Sequence, residues 1–92
     1  MLLRITIKAQ TAQEVILAVH GKIAGPNVQL LAKEGASYLQ TTAHLVLDLS
    51  SVPFIDDDGL TLLQQWAGTR VQLRGGSPFL QALLAAEGLG TK

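Results

Sequence analysis

Two short apolar runs, Glu14-Val15-Ile16-Leu17-Ala18-Val19 and Leu45-Val46-Leu47-Asp48-Leu49, flank a stretch of helical periodicity, and this arrangement limits the possible folds more than any other feature of the chain. Each run is nearly continuous in aliphatic residues and hardly alternates with polar ones, the pattern of an internal strand covered on both faces. Between them, residues 21 to 26 break the pattern with two glycines and a proline. Val28, Leu31, Ala32, Ala36 and Leu39 then recur at helical spacing to about residue 40, which predicts an amphipathic helix. A strand, a helix and a second strand in that order form a right-handed crossover with the strands parallel.

The rest of the chain extends this unit. Leu3, Ile5 and Ile7 alternate with Arg4, Thr6 and Lys8, predicting a strand with one wet face at the sheet edge, and the short polar link to residue 14 makes it an antiparallel neighbour of the next strand. After Leu49 a second helix is expected to start at the aspartates 56 to 58, with Leu60, Leu63 and Ala67 on one face, Leu62 and Trp66 beside them, and Gly68 as its end. Val71 and Leu73 mark a short strand closed by Gly75 and Gly76. Ser77 has the chemistry of an N-cap with Pro78 at the first helical position; Phe79, Leu80, Leu83 and Leu84 supply the apolar side of a last helix, and Gly88 is its C′ residue. The predicted order is β-β-α-β-α-β-α, an α/β fold built on a small mixed β-sheet. Ninety-two residues without a cysteine fit one domain over residues 1–92 whose stability rests on packing alone.

Charge narrows the function. Seven Lys+Arg balance seven Asp+Glu, so no basic field marks nucleic acid or an acidic membrane surface as a partner. Charged residues interrupt the apolar ones at the N-terminus before an export signal forms, and no run approaches the ~18 apolar residues of a membrane span, so a cytoplasmic location without membrane insertion is expected. His20 and His44 stand apart in sequence and cysteine is absent, a poor ligand supply for zinc; the consecutive aspartates lack the spacing of a calcium loop. No glycine-rich segment has the spacing of a phosphate-binding loop, and Ser50 and Ser51 have no general base identifiable in sequence. The expectation is a protein with no catalytic residue, metal or cofactor.

One segment stands out. Asp56-Asp57-Asp58-Gly59 places three of the seven acidic residues at a junction of strand and helix, where ligands of open α/β sheets bind and where helix N–H groups lack intrahelical partners. The structural explanation is that one aspartate caps the helix while the others answer its dipole.

Around this segment the chain resembles the STAS domain, found in anti-sigma factor antagonists and in the cytoplasmic part of sulphate transporters. Leu45 to Leu62, LVLDLSSVPFIDDDGLTL, is similar to the family signature of a strand ending in D-L-S followed by F-I-D-S-[ST]-G-L; Val19-His20-Gly21-Lys22-Ile23 resembles its G-x-[LI] element, and Ser77-Pro78 through Glu87-Gly88-Leu89 its tail. The resemblance implies a non-enzymatic module that docks on a protein partner, either an anti-sigma factor of the kinase type or, alternatively, the ATPase subunit of a membrane lipid transporter. It places Asp56 at the signature aspartate, Asp57 at the phosphoacceptor serine and Asp58 at the second hydroxyl position. An aspartate accepts no phosphate from a serine kinase and carries about one negative charge where phosphoserine carries about −1.5 to −2, so the resemblance implies at Asp57 either an imperfect, constitutive phosphomimetic or the loss of the switch. With it, Asp56, Asp58, Gly59, Thr61 and Trp66 are the candidate partner-binding residues. The chain departs from the family pattern at Ala24, where many members have an acid, in a shorter stretch from Gly59 to Val71, and in its short tail. If the surface is built for an uncharged serine, Asp57→Ser strengthens docking; if the partner has adapted to the acid, the same change weakens it.

Overall fold

The computed structural model describes residues 3–66 and 70–89. Its elements are β1 (Arg4–Gln10), β2 (Glu14–His20), α1 (Pro26–Thr41), β3 (His44–Ser51), α2 (Asp57–Trp66), β4 (Val71–Arg74) and α3 (Pro78–Ala86), in the predicted order. Ala67 and Gly68, expected at the end of the second helix, lie outside the described residues.

The sheet runs β1-β2-β3-β4. β1 is antiparallel to β2, with Ile5 opposite Val19 and Ile7 opposite Leu17, whereas β2 and β3, and β3 and β4, are parallel. Both crossovers step the same way along the sheet, so the right-handed rule puts α1 and α2 on one face. The core bears this out: Val15, Leu17 and Val19 of β2 and Leu45, Leu47 and Leu49 of β3 share a cluster with Leu31 of α1, Leu60, Leu62 and Leu63 of α2, and Leu80 and Leu84 of α3. All three helices therefore cover a single face. This corrects the expectation that the two apolar runs are covered on both faces. Ile16 and Ala18 are only half-buried, and Val46 is buried outside the core cluster, opposite Ile16 on one side and Gln72 on the other. An internal strand is flanked by strands on both sides, and those neighbours shield short aliphatic side chains without a second layer of helices.

The uncovered face carries a polar bridge. A bulge falls between Ile7 and Ala9, and Lys8 reaches over β2 so that its Nζ lies 2.5 Å from Asp48 Oδ2 on β3. Asp48 Oδ1 accepts from the Ser50 backbone N–H at 3.0 Å and from the Ser50 hydroxyl at 2.6 Å. Gly75, at φ +75°, closes over this group: a Cβ there would stand 2.5 Å from Ser50 Oγ, so glycine is required both by conformation and by space. The Lys8 hydrogen bond and then those of Ser50 hold the Asp48 carboxyl down at about 2, against its ordinary 3.8. A depressed carboxyl stabilises the fold above the unfolded value, and the contribution is lost as pH falls through the folded value. Stability is therefore expected to drop between about pH 4 and pH 2, by about 1 to 2 kcal/mol from this residue once the solvent exposure of Lys8 is allowed for. The check is denaturant unfolding of the wild type and Asp48→Asn at pH 6 and pH 2: the wild type should lead at pH 6 and lose that lead at pH 2. An unchanged difference would refute the linkage.

Helix ends follow the sequence chemistry closely. Ser77 Oγ accepts from the Leu80 N–H at 3.1 Å with Pro78 in the first turn of α3. At the other end, Gly88 takes φ +79°, its N–H bonds Ala85 O at 3.1 Å, and the Leu89 N–H bonds Leu84 O at 2.7 Å. This is the pair of bonds that satisfies the last carbonyls when a glycine turns left-handed, and buried Leu89 adds the accompanying apolar contact. In α1 the buried positions are Leu31 and Gly35, with Val28, Ala32, Tyr38 and Leu39 packed beside them; Ala36, expected inside, is exposed. The stripe passes through Gly35 because the missing side chain there makes room for the indole of Trp66, whose Cη2 would come within 2.5 Å of a Cβ.

Candidate functional site

Beyond the carboxyl end of β3 the chain plugs Val52 and Ile55 into the core and returns to the end of β2, where Ile23 bridges Ile55. The Ile23 N–H donates to Phe54 O at 3.0 Å and the Asp56 N–H donates to Ile23 O at 3.1 Å. These backbone bonds fix Asp56 at the threshold of α2. Its Oδ1 accepts from the Gly59 N–H at 2.8 Å, the reach of an N-cap to the third helical residue, and its Oδ2 accepts from the Gly25 N–H at 2.9 Å, just ahead of α1. One carboxylate thus caps the second helix and ties down the start of the first. The Gly25 bond, then the Gly59 bond, holds its carboxyl below the usual range, because each N–H favours the ionised form.

Gly59 is where α2 touches the sheet end. A Cβ on it would lie 2.6 Å from Ile23 O, 2.8 Å from Ile55 Cγ2 and 2.9 Å from Ile23 Cγ2, so the approach demands glycine although the backbone there is helical. The adjacent acids differ from Asp56. Asp57 and Asp58 are exposed in the first turn of α2, and among the described residues no hydrogen bond or ion pair engages their carboxylates. Two unpaired carboxylates at a helix start are favoured by its dipole, yet both remain available to an incoming cation. Thr61 is exposed one turn on and donates its hydroxyl to Asp57 O at 3.0 Å.

Of the six candidates, Asp57, Asp58 and Thr61 thus share one exposed patch. Asp56 and Gly59 lie at its base, engaged in holding the helix. Trp66, half-buried, is at the far end of α2 and rests on Gly35. His20 stands near Thr6 Oγ1 at 3.5 Å at the end of β2, and His44 is exposed at the start of β3, the opposite end of that strand from the patch; no group of three or more His, Cys, Asp or Glu among the described residues is placed to hold a metal ion.

Two aromatic residues outside the six candidates reach the surface. Phe54 is 45% and Phe79 68% exposed. Phe79, expected on the apolar inner side of the last helix, instead points outward, since Leu80 and Leu84 are the pair that faces the sheet. The available signal was the composition of α3: PFLQALLAA contains no charged residue and Gln81 is its one polar residue, so its solvent face is only weakly marked.

The profile of the family described as "Mlab, STAS domain" matches residues 7–91. The chain belongs to the STAS family. Solved structures share its fold. The anti-sigma factor antagonist SpoIIAA in its unphosphorylated form aligns with a TM-score of 0.78 at 15% identity, over 97% of this chain and 86% of that one. An anti-sigma factor antagonist from Mycobacterium paratuberculosis gives 0.76 at 21% identity, over 94% and 78%. The Bacillus cell fate determinant SpoIIAA in the phosphorylated form gives 0.70 at 14%, over 97% and 89%. No curated protein matches the chain. The STAS domain described here therefore has the fold of these antagonists, and among its described residues no helix is long and apolar enough to cross a membrane.

Proposed function

We propose that this STAS domain is a non-catalytic, cytoplasmic protein-interaction module that docks through the start of α2 on an anti-sigma factor of the kinase type, and that it does so without serine phosphorylation. The observation that carries this reading is Asp57. It is exposed, it sits in the first turn of α2, and no described side chain neutralises it, whereas its neighbour Asp56 is occupied by two backbone N–H groups. A carboxylate so placed offers a partner a fixed negative charge and offers a kinase no hydroxyl. Nothing in the proposal needs a metal or cofactor.

The alternative partner is the ATPase subunit of a membrane lipid transporter. The missing hydroxyl at Asp57 is equally compatible with it, because an accessory subunit of that kind requires no phosphorylation switch. Titration calorimetry of the wild type against each class of partner separates the two readings. Asp57→Ser supplies the second arm: incubation with a serine kinase of the anti-sigma type should phosphorylate the variant at residue 57 and leave the wild type unmodified there, and the affinity for the cognate partner should change. Equal affinity of both proteins would remove Asp57 from the interface.

A further inference from the structure

We infer that the outer face of α3, centred on Phe79, is the apolar half of the docking surface whose acidic half is Asp57 and Asp58, and that its occupant is a protein surface with an apolar contact flanked by Lys or Arg. The inference rests on the interaction-module reading above and names the chemistry of the partner.

Helices that are apolar all round are ordinarily buried all round. In α3, Leu80 and Leu84 are fully buried against the sheet, while Phe79, Ala82 and Ala86, spaced i, i+3, i+7 along one stripe, are exposed. Phe79 is the most exposed large apolar side chain among the described residues. On α2, Asp57, Thr61 and Gln64 are spaced i, i+4, i+7, and Gln64 Nε2 donates to Glu87 O at the end of α3 at 3.3 Å, so this stripe of α2 borders α3. Each helix follows a parallel strand and starts at the same end of the sheet. The acids at the start of α2 therefore flank the Phe79 end of α3.

Charge decides what fits. A partner that covers Phe79 also takes Asp57 and Asp58 partly out of water, which costs free energy unless cations meet them. No Lys or Arg lies on α2 or α3, so a second copy of this chain placed on the same face brings no counter-charge. A single helix face also falls short of the ~1,200 Å² of total buried surface that a stable interface needs. A partner with basic residues around an apolar contact satisfies both halves at once.

The test uses the purified anti-sigma-type kinase and the transporter ATPase subunit from the same cells, titrated with the wild type, Phe79→Ala, Ala82→Arg and the double variant Asp57→Asn/Asp58→Asn. Thermal unfolding serves as a control, and the exposure of Phe79 and Ala82 predicts unchanged melting. Phe79→Ala and Ala82→Arg should each weaken binding at least about tenfold. The double variant should weaken it several-fold and flatten its dependence on salt. If the wild type binds one partner and both α3 variants bind it equally well, the α3 surface is wrong and the interaction-module reading stands. Binding to neither partner overturns both. Tighter binding by the double variant overturns the basic rim, and a wild-type dimer in sedimentation that Ala82→Arg dissociates would assign the face to a second copy instead.

Discussion

Gly59→Ala should lower the stability of the domain by about 2 to 4 kcal/mol, which for a chain of this size shifts the melting temperature down by roughly 10 °C or more. The sign runs against helix propensity, since alanine in a helix interior is favoured over glycine by about 1 kcal/mol. Sterics outweigh that gain because the added Cβ meets Ile23 O at 2.6 Å and methyl groups of Ile55 and Ile23 at 2.8 and 2.9 Å. None of these can swing away: Ile23 and Ile55 are 0% and 2% exposed, and Ile23 O is already held by the Asp56 N–H. Moving α2 outward instead would pull the Gly59 N–H off Asp56. Thermal unfolding by circular dichroism is the measurement, and a variant that melts at or above the wild-type temperature would show that the helix does not seat on the sheet end as described.

The second large effect separates residues that composition cannot. Asp56→Ala is expected to cost about 2 to 3 kcal/mol, because it strips a charged acceptor from the N–H groups of Gly25 and Gly59 and loosens the starts of two helices together. Asp57→Ala, one residue on, should change stability little, since among the described residues no hydrogen bond or ion pair engages that carboxylate. Asp56→Asn should fall between them, as an amide offers one acceptor oxygen where the carboxylate uses two. Denaturant midpoints of the three variants at neutral pH test the order. Equal losses at positions 56 and 57 would mean that the triplet acts only as a block of charge on the helix dipole.

Much of this was legible in the chain because the governing physics is local. The period of apolar residues set the type and order of all seven elements, Ser77-Pro78 marked the start of α3, and Gly88 marked its end, because capping bonds span only three to five residues. The aspartates announced a helix start for the same reason. The STAS resemblance over residues 45 to 62 then pointed to position 57 as the one that differs from a serine switch.

What the sequence could not settle lies in contacts between distant elements. The two apolar strand runs read as covered on both faces, yet only the direction of successive crossovers decides that all three helices share one face and leave the other to the bridge of Lys8, Asp48 and Ser50. Propensity and charge alone do not rank three identical side chains in a row, and it is the arrival of Gly25, thirty-one residues away in sequence, that makes Asp56 structural and leaves Asp57 and Asp58 to the surface. Phe79 and Leu80 are equally apolar neighbours, and which of them turns outward depends on where α3 meets the sheet. Local propensity and capping act through near neighbours and are written in order along the chain, whereas burial and the pairing of a carboxylate depend on which surfaces meet once the crossovers close. Only the folded chain brings those surfaces together.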